Sequence, residues 1–597
     1  NPLPDGRVEL RLHTEPSIVS ALLIFNDGTP QRLDMTLAAE DSRFKYWEAT
    51  FLPKASTILY SFAFGLEDGK GYYYGGRGLT HAIETRFELD LEKKKPFVTP
   101  DWAKGAVIYQ IFPERFHNSD PALNPGSPYF AAWGTKPKST MFMGGDLPGI
   151  TDKIDYLAEL GVELIYLTPI FASPSNHKYD STDYYHVDPA FGGNEALREL
   201  VTKAHAQGLR VMLDASFNHA HPTFFAFQDI IKNGADSAYV DWFTIHDFPV
   251  RIGYRPHLIP AERKEDPSWQ EYYTSYLLNS ENLGGIPIEI YEDDGDWFEP
   301  SYMAWYNVIS MPKINQNNPE VRQYFIDVAT YWIKEFDIDG WRMDVAQFVP
   351  DQFWREFRAA CKAVKPDCYL ISEIWGSTAH WLNGDMFDGT MNYLFREIAL
   401  DFFARDRISA AEVKDALLRL EYHYAPQVTQ LQQNLLSSHD VSRFLTMTGE
   451  RVERFRLATL LQMTLPGAPG LYYGDEVGML GGHDPDNRRA FPWDDREQWN
   501  LDLLGTVKQL TALRKTHTVL RTGAFEWLWA SDNGDAFAFL RVAGEAKAEI
   551  VINRGAEAVV YQPHLAGGHV AFGIVEVDED ELTIMPESGV ILVSPEN

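Results

Sequence analysis

The sequence predicts an α/β protein built around a (β/α)8 TIM barrel, with an N-terminal and a C-terminal β-sandwich domain. Three observations support this fold class. Short apolar runs and helical segments alternate between Val107 and Glu476, which is typical of parallel strands joined by right-handed crossovers. The runs number eight, and eight strands close a barrel. Both flanking stretches are β-rich and lack this alternation.

The chain is too long for one hydrophobic core. It has 597 residues, whereas single cores stop growing at about 250 to 300 residues. We predict an N-terminal β-sandwich over residues 1–98, a barrel with its inserted segment over 99–522 and a C-terminal β domain over 523–597. The first unit contains the strand-like runs VELRLHT, ALLIF, YWEATF and ILYSFAFGL, and the charged, proline-interrupted LEKKKPFVTPDWAKG has the character of a linker.

The barrel prediction depends on eight strand-like runs in chain order. They are VIYQIF, VELIYLTPIF, LRVMLDASFNH, DGWRMD, CYLISE, DGTMNY, NLLSSHD and GLYYGDE. Roughly 100 residues without the strand–helix rhythm separate the third run from a helix that begins near Asn318. We therefore predict an inserted subdomain over about residues 218–312, beside the mouth of the barrel.

Composition excludes several classes of partner. The formal net charge is −32, so phosphate backbones and anionic membrane surfaces are repelled. No run of about 20 apolar residues is present, so no membrane span is expected. Cys361 and Cys368 are too few for a disulfide framework. We expect no nucleic-acid or membrane partner and a cytoplasmic location, with secretion as the alternative.

Three acidic residues end three of the predicted strands, namely Asp344, Glu373 and Asp440. The carboxyl ends of barrel strands form the catalytic face of a TIM barrel. Glycoside hydrolysis requires one ionised carboxylate as nucleophile and one protonated carboxyl as acid. A single acid at a strand end is more often a cap or an ion-pair partner, but agreement among several strand ends favours catalysis.

The neighbours of these acids suggest a division of roles. Arg342 and Asp344 are two apart on a strand and share a face, so the guanidinium is expected to lower the pKa of Asp344 and keep it ionised. Glu373 lies among Ile371, Ile374 and Trp375, and this apolar setting is expected to raise its pKa toward that of a general acid.

The motifs around these acids resemble those of the alpha-amylase superfamily of retaining glycoside hydrolases. DASFNH, GWRMDVA, ISEIWG and SSHD are similar to its four main motifs, while MPKIN, PIFASPSNHKYDSTDY and the β-rich N-terminal unit are similar to the neopullulanase, cyclomaltodextrinase and maltogenic amylase group. The resemblance implies that Asp344 is the nucleophile, Glu373 the general acid/base and Asp440 the transition-state stabiliser. It also implies that the barrel is the catalytic domain and that the sandwich 1–98 is starch-binding-like.

The resemblance also implies a set of substrate-binding residues. Those expected to hold the sugar whose bond is cut are His177, Tyr179, Asp214, His219, Arg342 and His439. Asp484 and Arg488 match a pair that contacts the next sugar on the non-reducing side, and Trp305 and Trp375 match aromatic positions on the leaving-group side. The alternative for each is a hydrogen bond or packing contact at the barrel mouth.

A structural Ca²⁺ site is implied by the same resemblance. FHNSDPALN followed by GGD is similar to a loop of oxygen ligands, and the candidates are Asn118, Asp120, Asn124, the Gly144 carbonyl and Asp146. Leu123 stands where relatives carry an amide and offers only its backbone carbonyl. The alternative is a turn held by Asn and Asp side chains.

Two features depart from the family pattern. Relatives usually follow the nucleophile with an Asn and a Glu, whereas this chain carries Gln347 and Phe348, which affects specificity on the leaving-group side. The segment 251–300 is longer than in relatives. A homodimer is a possible assembly, although the turn NDGTPQ near Asn26 is short for the contact that relatives make.

The sequence thus predicts a retaining glycoside hydrolase that cleaves α-1,4 glucosidic bonds in cyclodextrins, pullulan, starch or maltooligosaccharides, with cleavage of α-1,6 bonds as an additional alternative. A transglycosylase or α-glucosidase with the same acids is the nearest alternative, because water and a sugar hydroxyl compete for one covalent intermediate. A non-catalytic scaffold of the family is a remote alternative, which predicts lost acids and a membrane segment.

Overall fold

A computed structural model describes residues 1–83, 85–261, 265, 277–578 and 580–595 of the chain. Eight parallel strands close into a barrel, each hydrogen-bonded to the next in chain order and the last to the first. The barrel strands are Ile108–Ile111, Leu164–Leu167, Arg210–Ala215, Gly340–Met343, Tyr369–Ser372, Gly389–Asn392, Gln433–Leu435 and Ala468–Tyr472. Each strand overlaps one of the eight runs named above, and the predicted fold class is confirmed.

The barrel has two apolar layers because side chains alternate along each strand. Ile108, Met212 and Ile371 belong to an inner cluster that fills the barrel. Trp341 and Met343 belong to the larger cluster that packs between strands and helices. The alternation places Arg342 on the inner side of its strand.

Helices surround the barrel and several have explicit start and stop signals. The helix Pro319–Phe336 begins with an Asn318 cap, whose side chain accepts the Glu320 N–H, and ends at Asp337 in the left-handed conformation. A capping box between Ser409 and Glu412 begins the helix Ala410–His423. Within the described residues, the other α-helices are Pro113–Phe116, Leu147–Asp152, Ile154–Leu160, Gly193–Ala206, Phe225–Asn233, Asp351–Val364, Tyr393–Ala399, Pro426–Thr429, Phe444–Met447, Val452–Thr464, Leu501–Thr516 and Thr518–Thr522.

The segment inserted after the third barrel strand contains a small three-stranded sheet of Ile252–Tyr254, Ile288–Ile290 and Phe298–Pro300. Part of the predicted subdomain, residues 262–264 and 266–276, lies outside the described residues. An isolated bridge between His219 and Lys313 joins the end of the insert to the segment after the third barrel strand, and a second bridge, Ala304 with Pro312, lies within the insert. The first bridge brings Lys313 next to the end of that strand.

Antiparallel sheets form the two terminal units. The N-terminal strands are Val8–Thr14, Ile18–Asn26, Pro30–Asp34, Thr36–Glu40, Lys45–Phe51, Thr57–Leu66, Gly71–Gly75, Gly78–Thr80 and Phe87–Asp90, arranged in two sheets over a shared core. The C-terminal strands are Ala524–Ala530, Ala536–Ala543, Ala546–Asn553, Val559–Tyr561, His569–Phe572, Val575–Asp578, Glu581–Ile584 and Ser588–Val593, also in two sheets. The boundaries at 98/99 and 522/523 stay predictions, and they fall between these sheets and the barrel.

Candidate active site

The side chain of Arg342 lies at the carboxyl end of the barrel strands and contacts three carboxylates. Its Nη1 is 2.9 Å from Asp214 Oδ1 and 3.0 Å from Asp344 Oδ1, and its Nη2 is 3.5 Å from Glu373 Oε2. Register produces this arrangement, because Asp214 and Arg342 are direct partners on neighbouring strands and residues two apart share a face. Three strand ends therefore converge on one fully buried cation.

The predicted contact between Arg342 and Asp344 is present, but the predicted direction of the pKa shift is wrong. Burial raises the pKa of the Asp344 carboxyl well above its usual value; Arg342 opposes this shift, and the nearby Glu373 adds to it. The sequence could not supply this result, because a single guanidinium is shared among several acids in a site with little water. Arg342 is the neighbour that favours the ionised form of Asp344.

The setting of Glu373 is more polar than the sequence predicted. Its Oε2 accepts a hydrogen bond from the Val345 N–H at 2.9 Å, and its Oε1 accepts one from Trp375 Nε1 at 2.5 Å. Val345 has a φ of +41°, a conformation that β-branched residues rarely adopt. Such strain persists where surrounding structure holds it and is concentrated at functional sites. Here the strained residue directly follows Asp344 and directs its N–H toward Glu373.

Tyr179 and His439 form a closed end of the site. The Tyr179 hydroxyl lies 2.7 Å from Asp214 Oδ2 and 2.6 Å from His439 Nε2. The two rings are nearly parallel, with centroids 5.4 Å apart. Tyr166 donates a second hydrogen bond to Asp214 Oδ2 at 2.7 Å. Asp214 therefore accepts hydrogen bonds from both tyrosines and from Arg342, so its orientation is fixed.

Burial keeps His439 neutral. Burial lowers the pKa of its imidazole well below the ordinary value, and Arg488 lowers it further. The Gln110 amide nitrogen lies 2.7 Å from Nδ1. With that amide donating to Nδ1, the single ring proton lies on Nε2. This nitrogen faces Tyr179 and, at 3.3 Å, Asp440 Oδ2.

Asp440 contacts both His439 and Arg488. Burial, followed by the charge of Glu373, raises the pKa of Asp440 to about 7. Arg488 Nη2 is 3.6 Å from Asp440 Oδ1, and Arg488 Nη1 is 2.9 Å from Asp484 Oδ1. Arg488 also donates through Nε to the His439 carbonyl at 2.8 Å. The predicted Asp484–Arg488 pair is thus joined to Asp440.

Two further predicted histidines line the cavity as neutral rings. Burial lowers the pKa of His177 and lowers that of His219 to about 3. Tyr179 donates its N–H to His177 Nδ1 at 3.2 Å, so the ring proton lies on Nε2. His219 Nε2 is buried and has no hydrogen-bond partner within the described part of the chain. Both rings can therefore offer a nitrogen to a sugar hydroxyl.

Trp305 and Trp375 lie farther out. Trp305 stacks on His219 with ring centroids 5.4 Å apart. Trp375 stacks on Tyr393 at 4.4 Å and is 56% exposed. Because Trp375 also contacts Glu373, it lies on the side from which a leaving group would accept a proton.

The structure thus brings the predicted acids and the inner binding residues together around Arg342, while Asp484, Trp305 and Trp375 lie toward the rim. Sequence reasoning missed Tyr166, Gln110 and Val345, which contact Asp214, His439 and Glu373 respectively. The inward position of Tyr166 and Gln110 in their strands is the signal that could have identified them.

The predicted cation loop is a separate, compact cluster of oxygen-bearing side chains. Asn118 Nδ2 donates to Asn124 Oδ1 at 2.8 Å and to the Met143 carbonyl at 3.2 Å. Asn118 Oδ1 is buried and accepts no hydrogen bond within the described residues. Gly144 has a φ of +83°, and a Cβ atom there would lie 2.1 Å from Asn124 Oδ1. A free amide oxygen beside a second one in a tight loop fits a bound cation.

The acidic members of this loop already serve as caps. Asp146 Oδ1 accepts the Gly149 N–H at 2.6 Å and its Oδ2 accepts the Asp120 N–H at 2.9 Å. Asp120 Oδ1 accepts the Ala122 N–H at 3.0 Å. Each carboxylate oxygen has a further lone pair, so capping and coordination are compatible.

Comparison with known proteins agrees with this geometry. The family model described as "Alpha amylase, catalytic domain" matches residues 110–523. The chain is 42% identical to a cyclomaltodextrinase of Geobacillus thermopakistaniensis (strain MAS1) over 569 residues, which cover 92% of this chain and 88% of that protein. It is 39% identical to neopullulanase 2 of Thermoactinomyces vulgaris over 567 residues, covering 93% and 89%.

A solved structure titled cyclomaltodextrinase superposes with a TM-score of 0.84 at 32% sequence identity. The match covers 98% of this chain and 96% of that one. The similarity therefore includes both terminal sandwiches as well as the barrel.

Proposed function

The chain belongs to the alpha-amylase family, and from this premise we propose that it is a retaining glycoside hydrolase acting on cyclodextrins, pullulan, starch and maltooligosaccharides. The bonds cut are α-1,4 glucosidic links, with α-1,6 links as a further possibility. The observation that carries the proposal is the convergence of Asp214, Asp344 and Glu373 on Arg342, beside the closed end made by Tyr179 and His439. The names of the similar cyclomaltodextrinase and neopullulanase support the substrate class.

In the first half of the reaction, Asp344 attacks the anomeric carbon and Glu373 gives its proton to the departing glycosidic oxygen. The C–O bond to the leaving sugar breaks as the C–O bond to Asp344 forms. Arg342 holds the attacking carboxylate in place through Oδ1. Tyr179 supplies a flat aromatic ring under the reacting sugar. Asp214 and His439 hold the side chain of Tyr179 in place by hydrogen bonds to its hydroxyl.

In the second half, Glu373 takes a proton from water, and the water oxygen attacks the same carbon and releases Asp344. Two inversions give net retention of configuration. Asp440 is proposed to stabilise the positive charge that develops on the sugar in both steps. Its contacts with His439 and Arg488, two residues expected to hold the substrate, support this role.

A transglycosylase or α-glucosidase is the alternative, since a sugar hydroxyl can replace water in the second half. The scaffold reading has little support, because all three acids are present and, among the described residues, no helix has the length and apolar character of a membrane span.

A product profile tests the proposed function. With α-cyclodextrin, β-cyclodextrin, pullulan and soluble starch as substrates, we expect reducing sugars in the α configuration from at least the cyclodextrins. Chromatography of the products and NMR of the fresh anomer provide the measurement. Oligosaccharides longer than the substrate at high substrate concentration would instead favour the transglycosylase. Hydrolysis confined to terminal glucose units would favour the α-glucosidase.

We also propose that the loop of Asn118, Asp120, Asn124, Gly144 and Asp146 holds a structural Ca²⁺. The free Asn118 oxygen supports this proposal. The ion would brace the segment that follows the first barrel strand, and it would take no part in the chemistry. Leu123 contributes no side-chain oxygen, so the affinity is expected to be modest.

Calcium should raise the thermal unfolding midpoint. Binding to the folded state alone stabilises it by about 2.7 kcal/mol at a free concentration of 100 times Kd. Differential scanning calorimetry with excess Ca²⁺ and with chelator measures the difference. Leu123→Asn, which restores an amide, should produce the same rise at a lower calcium concentration, and Asn118→Ala should abolish it. Equal midpoints with calcium and with chelator in the unaltered protein would exclude the site.

Two wider proposals complete the assignment. We propose a cytoplasmic location, with secretion as the alternative, and the free, buried thiols of Cys361 and Cys368 support it. We propose a homodimer, supported by exposed apolar side chains on the N-terminal sandwich such as Leu52 and Leu79. Light scattering measures the mass in solution.

A further inference from the structure

The turn that follows Asp344 lies against Glu373. Ala346 donates its N–H to the Glu373 carbonyl at 3.2 Å, and Phe348 closes the turn by donating to the Val345 carbonyl at 3.0 Å. The residues Ala346–Phe348 form one turn of 3-10 helix. Phe348 therefore lies on the side of the site that carries Glu373, rather than at the closed end made by Tyr179 and His439.

A lysine joins this turn to the inserted segment. Lys313 Nζ donates to the Phe348 carbonyl at 2.8 Å and also contacts Asn218 Oδ1. Lys313 itself is in the strand-like stretch that bridges to His219. These contacts fix the backbone of Phe348 relative to the insert.

The ring of Phe348 ends a row of aromatic side chains. Its centroid is 5.6 Å from that of Tyr306, in an edge-to-face arrangement. Tyr306 contacts Trp305 at 5.0 Å, and Trp305 stacks on His219 at 5.4 Å. The row thus runs from a buried histidine of the site to its rim, where Tyr306 is 73% and Phe348 37% exposed.

Tyr306 is held at the rim by its backbone. Tyr306 has a φ of +47°, a left-handed backbone conformation that bulky residues seldom adopt. Asn307 follows in the same region, with a φ of +58°. Large exposed rings and strained backbone both carry a cost in free energy, and such features persist where they serve a function. The two rings face solvent from two different segments of the chain and meet at one place.

A surface of this kind suits one part of the substrate. The C–H faces of a pyranose pack well on aromatic rings, and the benzene ring of Phe348 offers no hydrogen-bonding atom. Glu373 protonates the oxygen of the departing sugar, so residues on its side meet that sugar and not the one attacked by Asp344. The sugar attacked by Asp344 is instead held by the polar residues of the closed end, Tyr179 and His439.

We infer that Phe348 and Tyr306 form an apolar wall that binds the departing sugar by face contact, which makes Phe348 a specificity-determining residue on the leaving-group side. The inference rests on the proposed function. If the wall binds in this way, the enzyme should select the sugars after the scissile bond by their apolar contact area and not by particular hydroxyl groups. Acceptor sugars in transglycosylation would be bound by the same two rings.

A matched pair of substrates isolates this wall. Maltotriose and α-maltosyl fluoride share the maltosyl part, but fluoride is too small to reach either ring. Phe348→Ala should lower kcat/KM for maltotriose about tenfold, since a lost aromatic contact is of that order. It should leave kcat/KM for α-maltosyl fluoride within about twofold. Tyr306→Ala, which leaves the turn after Asp344 intact, should show the same split.

Gln352→Ala serves as the control, because Gln352 is exposed on the helix that follows this turn, contacts Glu356 and lies outside the row of rings. This variant should change kcat/KM by no more than about twofold for either substrate. Equal losses on both substrates in Phe348→Ala, no loss on maltotriose, or an equally large selective loss in Gln352→Ala would each overturn the inference. Failure of the unaltered protein to release fluoride would instead refute the proposed hydrolase.

Discussion

Replacement of Asp344 by Asn is expected to lower kcat/KM for both β-cyclodextrin and α-maltosyl fluoride by about 10⁴-fold or more. The amide has the shape of the carboxylate but lacks the charge and the nucleophilic lone pairs that form the bond to the anomeric carbon. The fall in kcat/KM for α-maltosyl fluoride distinguishes a nucleophile from an acid, because a good leaving group cannot compensate for a missing nucleophile.

The variant should fold. Arg342 keeps its contact with Asp214 and lies near Glu373, so removal of one negative charge leaves no unpaired buried cation. Because burial raises the pKa of Asp344, a neutral group at this position is also tolerated. Circular dichroism and the thermal unfolding midpoint report whether the variant is folded, and we expect both to be close to those of the unaltered protein.

The comparison variant is Asp484→Asn. Asp484 is also an acid of the cleft, but it reaches Asp440 only through Arg488, so a loss of about tenfold is expected. A fluorinated α-glucosyl fluoride that slows the second step should label the peptide containing Asp344 in the unaltered enzyme. Labelling of a different acid, or activity of Asp344→Asn within tenfold of normal, would show that another residue attacks.

The sequence predicted the barrel and its acids for one physical reason. Parallel strands end at a common edge, so Asp344, Glu373 and Asp440 had to lie near one another once the eight runs were assigned. Face sharing along a strand likewise predicted the contact between Arg342 and Asp344, which the structure contains. These inferences use only periodicity and chain order.

Properties that depend on the sum of several neighbours could not be predicted in this way. The pKa of Asp344 depends on burial and on how Arg342 is shared with Asp214 and Glu373. The contact of Tyr306 with Phe348 joins an inserted segment to a barrel loop, and no local pattern connects the two. The polar setting of Glu373 comes from a backbone N–H, which the identity of Val345 does not reveal.

Replacement of Glu373 by Gln should separate substrates by their leaving groups. For maltotriose and β-cyclodextrin the departing oxygen needs a proton, and we expect kcat/KM to fall by about 10³- to 10⁴-fold, near the upper range for acid catalysis. For α-maltosyl fluoride the leaving group needs much less assistance. Its kcat/KM reports the first chemical half of the reaction and should fall no more than about tenfold.

The second half of the reaction gives an independent test of the same residue. Without a base at position 373, water attacks the covalent intermediate slowly, so kcat for the fluoride should fall even where kcat/KM does not. Azide needs no general base, so it should restore kcat and give maltosyl azide of the α configuration. Trp375→Phe keeps Glu373 and the aromatic ring while removing the Nε1 donor, and azide should not accelerate that variant. Equal losses on sugar and fluoride in Glu373→Gln, without azide rescue, would assign Glu373 a structural role and leave the proton donor to another acid of the cluster.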